Sequence, residues 1–200
     1  MRKILSFICF LILLFPALAG ADPQADFDMA VKAEKSKDVS KAIDLYTKSA
    51  EGGNPFAQGT LGYLYQYGDG VVTPDYQRAL EWNSKAAESG DVNAQVNLAI
   101  MYDDGMGLSK DHAKANELYR KAAEQGHPTA QLNLGVNYME GKGVEQDYVK
   151  AYNILNQVRM TAPNQQARWK ARSALDKLRT LMTKEQLKAL KVNVKDRFSY

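Results

Sequence analysis

One pattern occurs three times in this chain of 200 residues, and it limits the possible folds more than any other feature. The three units, aligned in full, are residues 54–90, 91–126 and 127–162. A period of about 36 residues is typical of stacked helical repeats, in which each unit buries its apolar face only against its neighbours. The sequence therefore predicts a linear array with a linear core.

The first half of each unit carries Ala, Leu and Tyr at positions i, i+4 and i+8, the spacing of one face of a helix. We call this predicted helix helix A. Its Ala, Leu and Tyr residues are Ala57, Leu61 and Tyr65 in the first unit, Ala94, Leu98 and Tyr102 in the second, and Ala130, Leu134 and Tyr138 in the third. A small residue follows each Leu (Gly62, Ala99 or Gly135). Small residues at this position predict a close approach of the next helix.

Two glycines and an aspartate follow helix A in every unit. The glycines are Gly68 and Gly70, Gly105 and Gly107, and Gly141 and Gly143. Glycine just past a helix end suits a left-handed cap, and the second glycine permits a sharp reversal of the chain. Asp75, Asp111 and Asp147 then stand where an N-cap opens a second helix, helix B.

Residues on both sides of the three units continue the helical pattern. Residues 22–53 resemble a degenerate unit, since Asp38 and Ala42 match helix B, but this segment lacks the double glycine and predicts a tighter turn. Residues 163–200 form a basic segment that predicts capping helices: Ala167, Ala171, Ala174, Leu175, Leu178 and Leu181 fall on one face. A short helix should follow, opened by Thr183 with Gln186 three residues later.

The motif A-x-x-x-L-G-x-x-Y-x-x-G-x-G-V, with Asp before helix B and K-A-A-x-x-G at the unit end, resembles the Sel-1-like repeat, a relative of the tetratricopeptide repeat. The resemblance covers about 110 residues strongly and about 30 more weakly. It implies an all-α protein: a right-handed α-solenoid of about four antiparallel helix pairs, with C-terminal capping helices. It also implies an adaptor or scaffold that holds a protein or peptide.

In such proteins helix A lines the concave face, so the resemblance also implies a partner-binding groove. Transfer of the groove positions onto this sequence gives Phe56, Tyr63, Gln66 and Tyr67 from the first unit, Asn93, Val96, Asn97, Ile100 and Asp103 from the second, and Thr129, Leu132, Asn133, Val136 and Met139 from the third. Asn97 and Asn133 would offer amide contacts to a peptide backbone. The degenerate unit would add Phe27 and Val31.

Two interpretations of this apolar strip stay open on the sequence alone. It is either a groove for an extended or helical peptide, or a surface already buried by a tight superhelix or by the C-terminal helices folding back.

The sequence contains few residues or motifs that are typical of a catalytic or metal site. His112 and His127 have no partner at metal-ligand spacing, and we expect a solvated first-turn residue and a turn residue, respectively. The pair Asp103–Asp104 lacks the alternating calcium-loop register, and the chain contains no S-x-x-K motif. We therefore predict no catalytic residue, cofactor or metal site. The alternative to an adaptor is an envelope enzyme, or an enzyme regulator, acting on cell-wall or β-lactam-like substrates.

Residues 1–21 have the layout of a cleaved secretory signal peptide: a basic start, an apolar run of 12 residues and a small-residue exit, with cleavage after Ala19 or Ala21. The single cysteine, Cys9, lies inside that run. The sequence predicts a periplasmic or secreted protein of a bacterial envelope, for which nucleic acid is not an expected partner.

Charge is distributed unevenly along the chain. Residues 20–163 contain 14 Lys and Arg against 20 Asp and Glu, whereas residues 164–200 contain 10 against 3. The basic segment, which includes Arg168, Lys170, Arg172, Lys177, Arg179 and Lys184, is a candidate for peripheral contact with an anionic surface, and the alternative is a solvated face of a capping helix.

Overall fold

The computed structural model describes residues 22–188 and residue 190, and within them the chain is helical, without a strand. The helices are α1 (Pro23–Lys35), α2 (Val39–Glu51), α3 (Pro55–Tyr67), α4 (Tyr76–Glu88), α5 (Val92–Asp104), α6 (His112–Glu124), α7 (Pro128–Glu140), α8 (Tyr148–Thr161) and α9 (Gln165–Leu181). Residues 184–188 and 190 are also helical. Among these described helices, none combines the length and the apolar character needed to cross a bilayer. The predicted signal segment and residues 191–200 lie outside the described part.

Successive helices pack as pairs: α1 with α2, α3 with α4, α5 with α6, and α7 with α8. Each pair also packs on the next one, so the chain is an α-solenoid of four helix pairs that α9 follows. Helices α1, α3, α5 and α7 occupy the helix A position, and α2, α4, α6 and α8 occupy the helix B position. The all-α solenoid expected from the repeat is confirmed.

The predicted helix ends are confirmed by the backbone. α3, α5 and α7 each end at a glycine with positive φ: Gly68 at 72°, Gly105 at 74° and Gly141 at 69°. In each loop the carboxylate of the following aspartate accepts hydrogen bonds from the first-turn amides of helix B. Glycine adopts a positive φ without steric penalty, and aspartate supplies the oxygen that caps the next helix. The turn is therefore determined by the residues within it.

A second device, which the sequence analysis missed, closes the turn of every unit. The backbone amide of the N-cap aspartate donates to the carbonyl of the helix A tyrosine at 2.7–2.9 Å. The basic residue three positions after the aspartate lies over the same tyrosine ring: Arg78 over Tyr65, Lys114 over Tyr102 and Lys150 over Tyr138. The spacing D-x-x-[KR] was the available signal.

Glycines bring the elements into close contact, as predicted from the small residues of helix A. Within a unit, Gly135 faces Leu155: a Cβ at the glycine would lie 2.8 Å from the leucine Cγ. Between units, the second loop glycine touches the start of the preceding helix B. A Cβ at Gly143 would lie 2.6 Å from the Ala113 amide nitrogen. The loop of one unit thus docks on the helix of the unit before it.

The last helix, α9, packs against both α7 and α8. Its buried residues are Ala167, Ala171, Leu175 and Leu178, as predicted, but Leu181 is 45% exposed, which corrects its assignment to the packed face. Lys177 pairs with Glu140 at the end of α7, with Nζ and Oε1 3.1 Å apart.

The predicted capping box after α9 is present. The Thr183 amide donates to Gln186 Oε1 at 2.9 Å, and the Gln186 amide donates to Thr183 Oγ1 at 3.2 Å. The helical stretch that follows places Leu190 in the core.

Buried apolar residues form two clusters along the solenoid. The N-terminal cluster joins α1–α4 and includes Tyr46, Leu61 and Trp82. The C-terminal cluster runs from α5 to residue 190. A buried amide pair lies beside the boundary of the two clusters: Asn83 Nδ2 donates to Gln66 Oε1 at 3.2 Å. We call this pair the amide seam.

Candidate functional site

A groove of about 530 Å³ runs across the helices in the A position. Its wall takes Phe27 from α1, then residues of α3 and α5, and Thr129 from α7. Phe56 and Tyr63 of α3 are 59% and 52% exposed in it, which is unusual for large apolar side chains in a folded protein. The rings of Phe27 and Phe56 lie 6.1 Å apart, so the first two helices A share one aromatic wall.

The groove brings together half of the side chains that the sequence predicted for it. These are Phe56, Tyr63, Asn93, Val96, Asn97, Ile100 and Thr129. Val96 is only 4% exposed and forms part of the floor. Phe27 of the degenerate unit is also present, whereas Val31 packs on the N-terminal apolar cluster.

Three predicted groove residues are core residues, and the structure corrects the expectation that they are accessible. Gln66 and Met139 are each 2% exposed, and Leu132 is 8% exposed. The Gln66 amide reaches the next unit, with Nε2 3.7 Å from Met106 Sδ. Met139 and Leu132 belong to the C-terminal apolar cluster. None of them can contact a partner without rearrangement.

The remaining four predicted residues lie outside the groove wall. The Tyr67 ring contacts that of Tyr63 at a tilt of 49°, with ring centroids 4.9 Å apart. Val136 packs on the C-terminal cluster. Asn133 lies beside Tyr119, and Asp103 contacts His112.

Position within the repeat explains this sorting. Counted from the helix A leucine, Phe56, Asn93 and Thr129 stand at −5, and all three are exposed in the groove. Residues at +5 (Gln66, Asp103 and Met139) instead point towards helix B or the next unit. Transfer from the family pattern treated both positions as groove positions, and only the packing of adjacent units separates them.

One end of the groove is polar. Asn93, Asn97 and Thr129 lie there with two residues that the sequence analysis missed, Asp91 and His127. Asp91 Oδ1 accepts from the Ala94 amide at 2.7 Å, so this carboxylate is engaged as an N-cap. Burial lowers the pKa of His127, so its imidazole is neutral at pH 7. The groove therefore offers amide and hydroxyl groups with little net charge.

The signal for the two missed residues was the unit boundary. Asp91 and His127 are equivalent first residues of their units, and His127 holds the N-cap position of α7 without a capping hydrogen bond. The prediction that His127 is a turn residue is confirmed, but its contribution to the groove depends on the neighbouring helix.

His112 is not the solvated residue that we expected. Its Nδ1 lies 2.5 Å from Asp103 Oδ1, so it joins the first turn of α6 to the end of α5. The buried Tyr119 hydroxyl is nearby, and burial followed by the charge of Asp103 raises its pKa. This cluster supports the ends of two helices beside the groove.

The groove is open in the described part of the chain. Its wall contains no residue of α9, which packs on α7 and α8 instead. The packing of the helices buries only part of the predicted strip, namely Gln66, Val96, Leu132 and Met139.

Comparison with known proteins agrees with this architecture. The Sel1 repeat model matches residues 33–54, 55–91, 92–127 and 128–157. A Sel1 repeat protein from Oxalobacter formigenes is similar in structure, with a TM-score of 0.64 and 31% identity over 70% of this chain. A protective antigen of uropathogenic Escherichia coli strains that displays an SLR fold is similar over 86% of the chain, with a TM-score of 0.51 and 28% identity.

This chain covers 57% and 44% of the lengths of those two structures. None of the curated proteins is significantly similar to it in sequence. Proteins built from Sel1 repeats are generally protein-interaction scaffolds. Four matched repeats and a structural relative at 31% identity establish that the chain belongs to the Sel1 repeat family.

Proposed function

We propose that this protein is a non-enzymatic adaptor that binds a protein or peptide in the groove formed by its A helices. The observation that carries the proposal is the pair of exposed aromatic rings, Phe56 and Tyr63, in an open groove that four successive repeats line. Large exposed apolar patches on a folded protein mark interaction sites.

The composition of the groove defines the ligand. Phe27, Phe56, Tyr63 and Ile100 offer apolar contact. The amides of Asn93 and Asn97 can donate to peptide carbonyls and accept from peptide amides. Since Asp91 is engaged and His127 is neutral, a segment with apolar side chains and few charges fits best.

We propose that the protein acts in the bacterial envelope, either in the periplasm or after secretion. Support comes from the signal-like residues 1–21, with their basic start, apolar run and small-residue exit. The mass of the protein recovered from an envelope fraction tests this. A mature chain that starts at residue 20 or 22 is expected. A full-length chain that keeps residue 1 and is found in the cytoplasm would contradict the proposal.

Selection of peptides from a random displayed library, followed by affinity measurement on the purified protein, tests the binding function. Peptides with apolar side chains should be enriched. Truncation of two large anchors, as in Phe56→Ala/Tyr63→Ala, should weaken binding at least about tenfold, because each buried aromatic anchor commonly contributes more than about 1 kcal/mol.

The matched control is Met160→Ala/Trp169→Ala, which removes two equally exposed apolar side chains outside the groove. It should leave the affinity unchanged. Equal losses in both variants, or none in the groove variant while circular dichroism shows an intact helix content, would reject the groove. Turnover of a cell-wall or β-lactam substrate by the purified protein would favour the alternative of an envelope enzyme.

A further inference from the structure

The outward face of α9 is strongly basic around one exposed indole. A helix turns about 100° per residue, so Trp169 stands at the centre of this face, opposite the buried Ala171 and Leu178. The basic residues occupy both flanks: Arg168, Arg172 and Arg179 on one side, and Lys170 and Lys177 on the other. We call these six residues the basic face.

Most of the charge on the basic face is not neutralised by the protein. Arg179 pairs with Asp176 at 3.2 Å, and Lys177 pairs with Glu140. Arg168, Lys170 and Arg172 are exposed and form no ion pair with any described residue. Asp176 is the only carboxylate in α9.

The arginine flank is concave rather than flat. Arg159 of α8 joins Arg168, Arg172 and Arg179 around a groove that also contains Trp169 and the carboxylate of Asp176, so four guanidinium groups face one acidic side chain. Planar guanidinium groups are suited to bidentate contact with phosphate oxygens. Trp169 is 67% exposed, so its indole does not contribute to stability the large apolar area that burial would provide.

We propose that the basic face binds the surface of an anionic phospholipid bilayer, with the arginines on the lipid phosphates and the Trp169 indole at headgroup depth. Tryptophan and long basic side chains are the residues that settle at this interface. The same helix pair exposes two more apolar side chains, Met160 at 64% and Leu181 at 45%. An acidic protein is the competing partner for this face, and the polyglutamate arm of the experiment below tests it.

The sequence after α9 is also basic. Residues 184–200 contain five more Lys and Arg against two acidic residues. Clusters of basic residues beside an apolar anchor bind anionic membranes, and each Lys or Arg near the surface raises the affinity about fivefold. This surface is distinct from the groove of the A helices and does not depend on the proposed peptide binding.

Trp169 supplies a direct probe, because the protein has two tryptophans and the other, Trp82, is buried. In Trp82→Phe, emission comes from Trp169 alone. It should shift to the blue on vesicles of phosphatidylcholine with about one-third phosphatidylglycerol and stay unchanged on pure phosphatidylcholine. About 1 M salt, which shortens the screening length to ~3 Å, should reverse the shift. Sedimentation of the wild-type protein with the same vesicles gives an independent reading.

Two triple variants with equal loss of charge locate the site. Arg168→Gln/Lys170→Gln/Arg172→Gln should lower partitioning at least about tenfold. The control, Lys32→Gln/Lys35→Gln/Lys41→Gln in the degenerate unit, should bind nearly as wild type. Equal losses in the two variants would overturn the proposal. So would binding to pure phosphatidylcholine, or binding to polyglutamate with none to anionic vesicles, which would assign the face to an acidic protein.

Discussion

The two ends of the solenoid are built to the same plan but fastened differently. At the C-terminal end, Gly143 docks on the preceding helix B, α9 covers the last repeat, and Glu140 ties α7 to α9. At the N-terminal end, a Cβ at the equivalent Gly70 would meet nothing within 4 Å. The α1–α2 turn uses Lys37 at a φ of 61°, where glycine would be unstrained.

The two ends of the solenoid contribute unequally to stability, and the groove joins them. In a repeat array, stability is roughly the sum of unit and interface contributions. With a smaller apolar cluster and fewer docked loops, the N-terminal pairs should open before the C-terminal ones. The groove takes its aromatic wall from α1 and α3 and its polar end from α5 and α7, so it spans the amide seam. A bound peptide should therefore hold the two halves together.

Substitution of the docked glycine should have the largest effect. Gly143→Ala forces a left-handed residue and a backbone overlap with His112 and Ala113, so we expect a loss of about 3–5 kcal/mol in the free energy of unfolding. The matched control Gly70→Ala has only the left-handed penalty, about 1 kcal/mol. Urea unfolding measures both, and equal losses would contradict the docking.

The amide seam can be replaced by the apolar pair of the third repeat, where Met139 and Leu155 hold the positions of Gln66 and Asn83. Each single change, Gln66→Met or Asn83→Leu, removes the hydrogen bond between Asn83 Nδ2 and Gln66 Oε1 and leaves the remaining atom buried without that partner, so it should cost about 1–3 kcal/mol. The double variant should be at least as stable as wild type, because it joins the two apolar clusters. A double-mutant cycle in urea should give a coupling of about 2 kcal/mol. Additive losses would show that the pair does not act as a unit.

Relief of the strained turn should stabilise the N-terminal end slightly. Lys37→Gly removes the left-handed strain but adds freedom to the unfolded chain, so a net gain of about 0.5–1 kcal/mol is expected. Hydrogen exchange of α1 and α2 should slow while that of α7 and α8 stays constant. Faster exchange in α1 would mean that the lysine side chain contributes more than the strain costs.

The smallest effect is expected at the C-terminal clamp. Hydrogen bonds from Lys142, and then from Lys177, lower the pKa of Glu140. A lowered carboxylate pKa contributes stability above its unfolded value of 4.5, and this contribution is lost as the pH falls through the folded value. Glu140→Gln should cost less than about 1 kcal/mol at pH 7, since the pair is partly exposed, and less at pH 3 than at pH 7. An equal cost at both pH values would exclude the ion pair as the cause.

The sequence predicted those features that one unit determines by itself. Gly68, Asp75 and the Thr183–Gln186 capping box interact only with residues a few positions away, so the sequence alone was sufficient to predict these helix ends. The partners of Gln66 and the exposure of Leu181 depend on how helices meet, and no local pattern contains that information. The family pattern assigns one face of helix A to the groove, and this face includes both positions −5 and +5 relative to the leucine. Packing of adjacent units then buries position +5 and leaves position −5 exposed, which the pattern does not show.

Hydrogen exchange of the protein with and without a selected peptide shows directly whether one groove joins the two halves of the solenoid. Because the groove spans the amide seam, the peptide should slow exchange in α3 and α5 together and raise the opening free energy of the N-terminal pairs. Protection confined to α4, α6 or α9, or to one side of the seam only, would contradict a groove shared by the A helices.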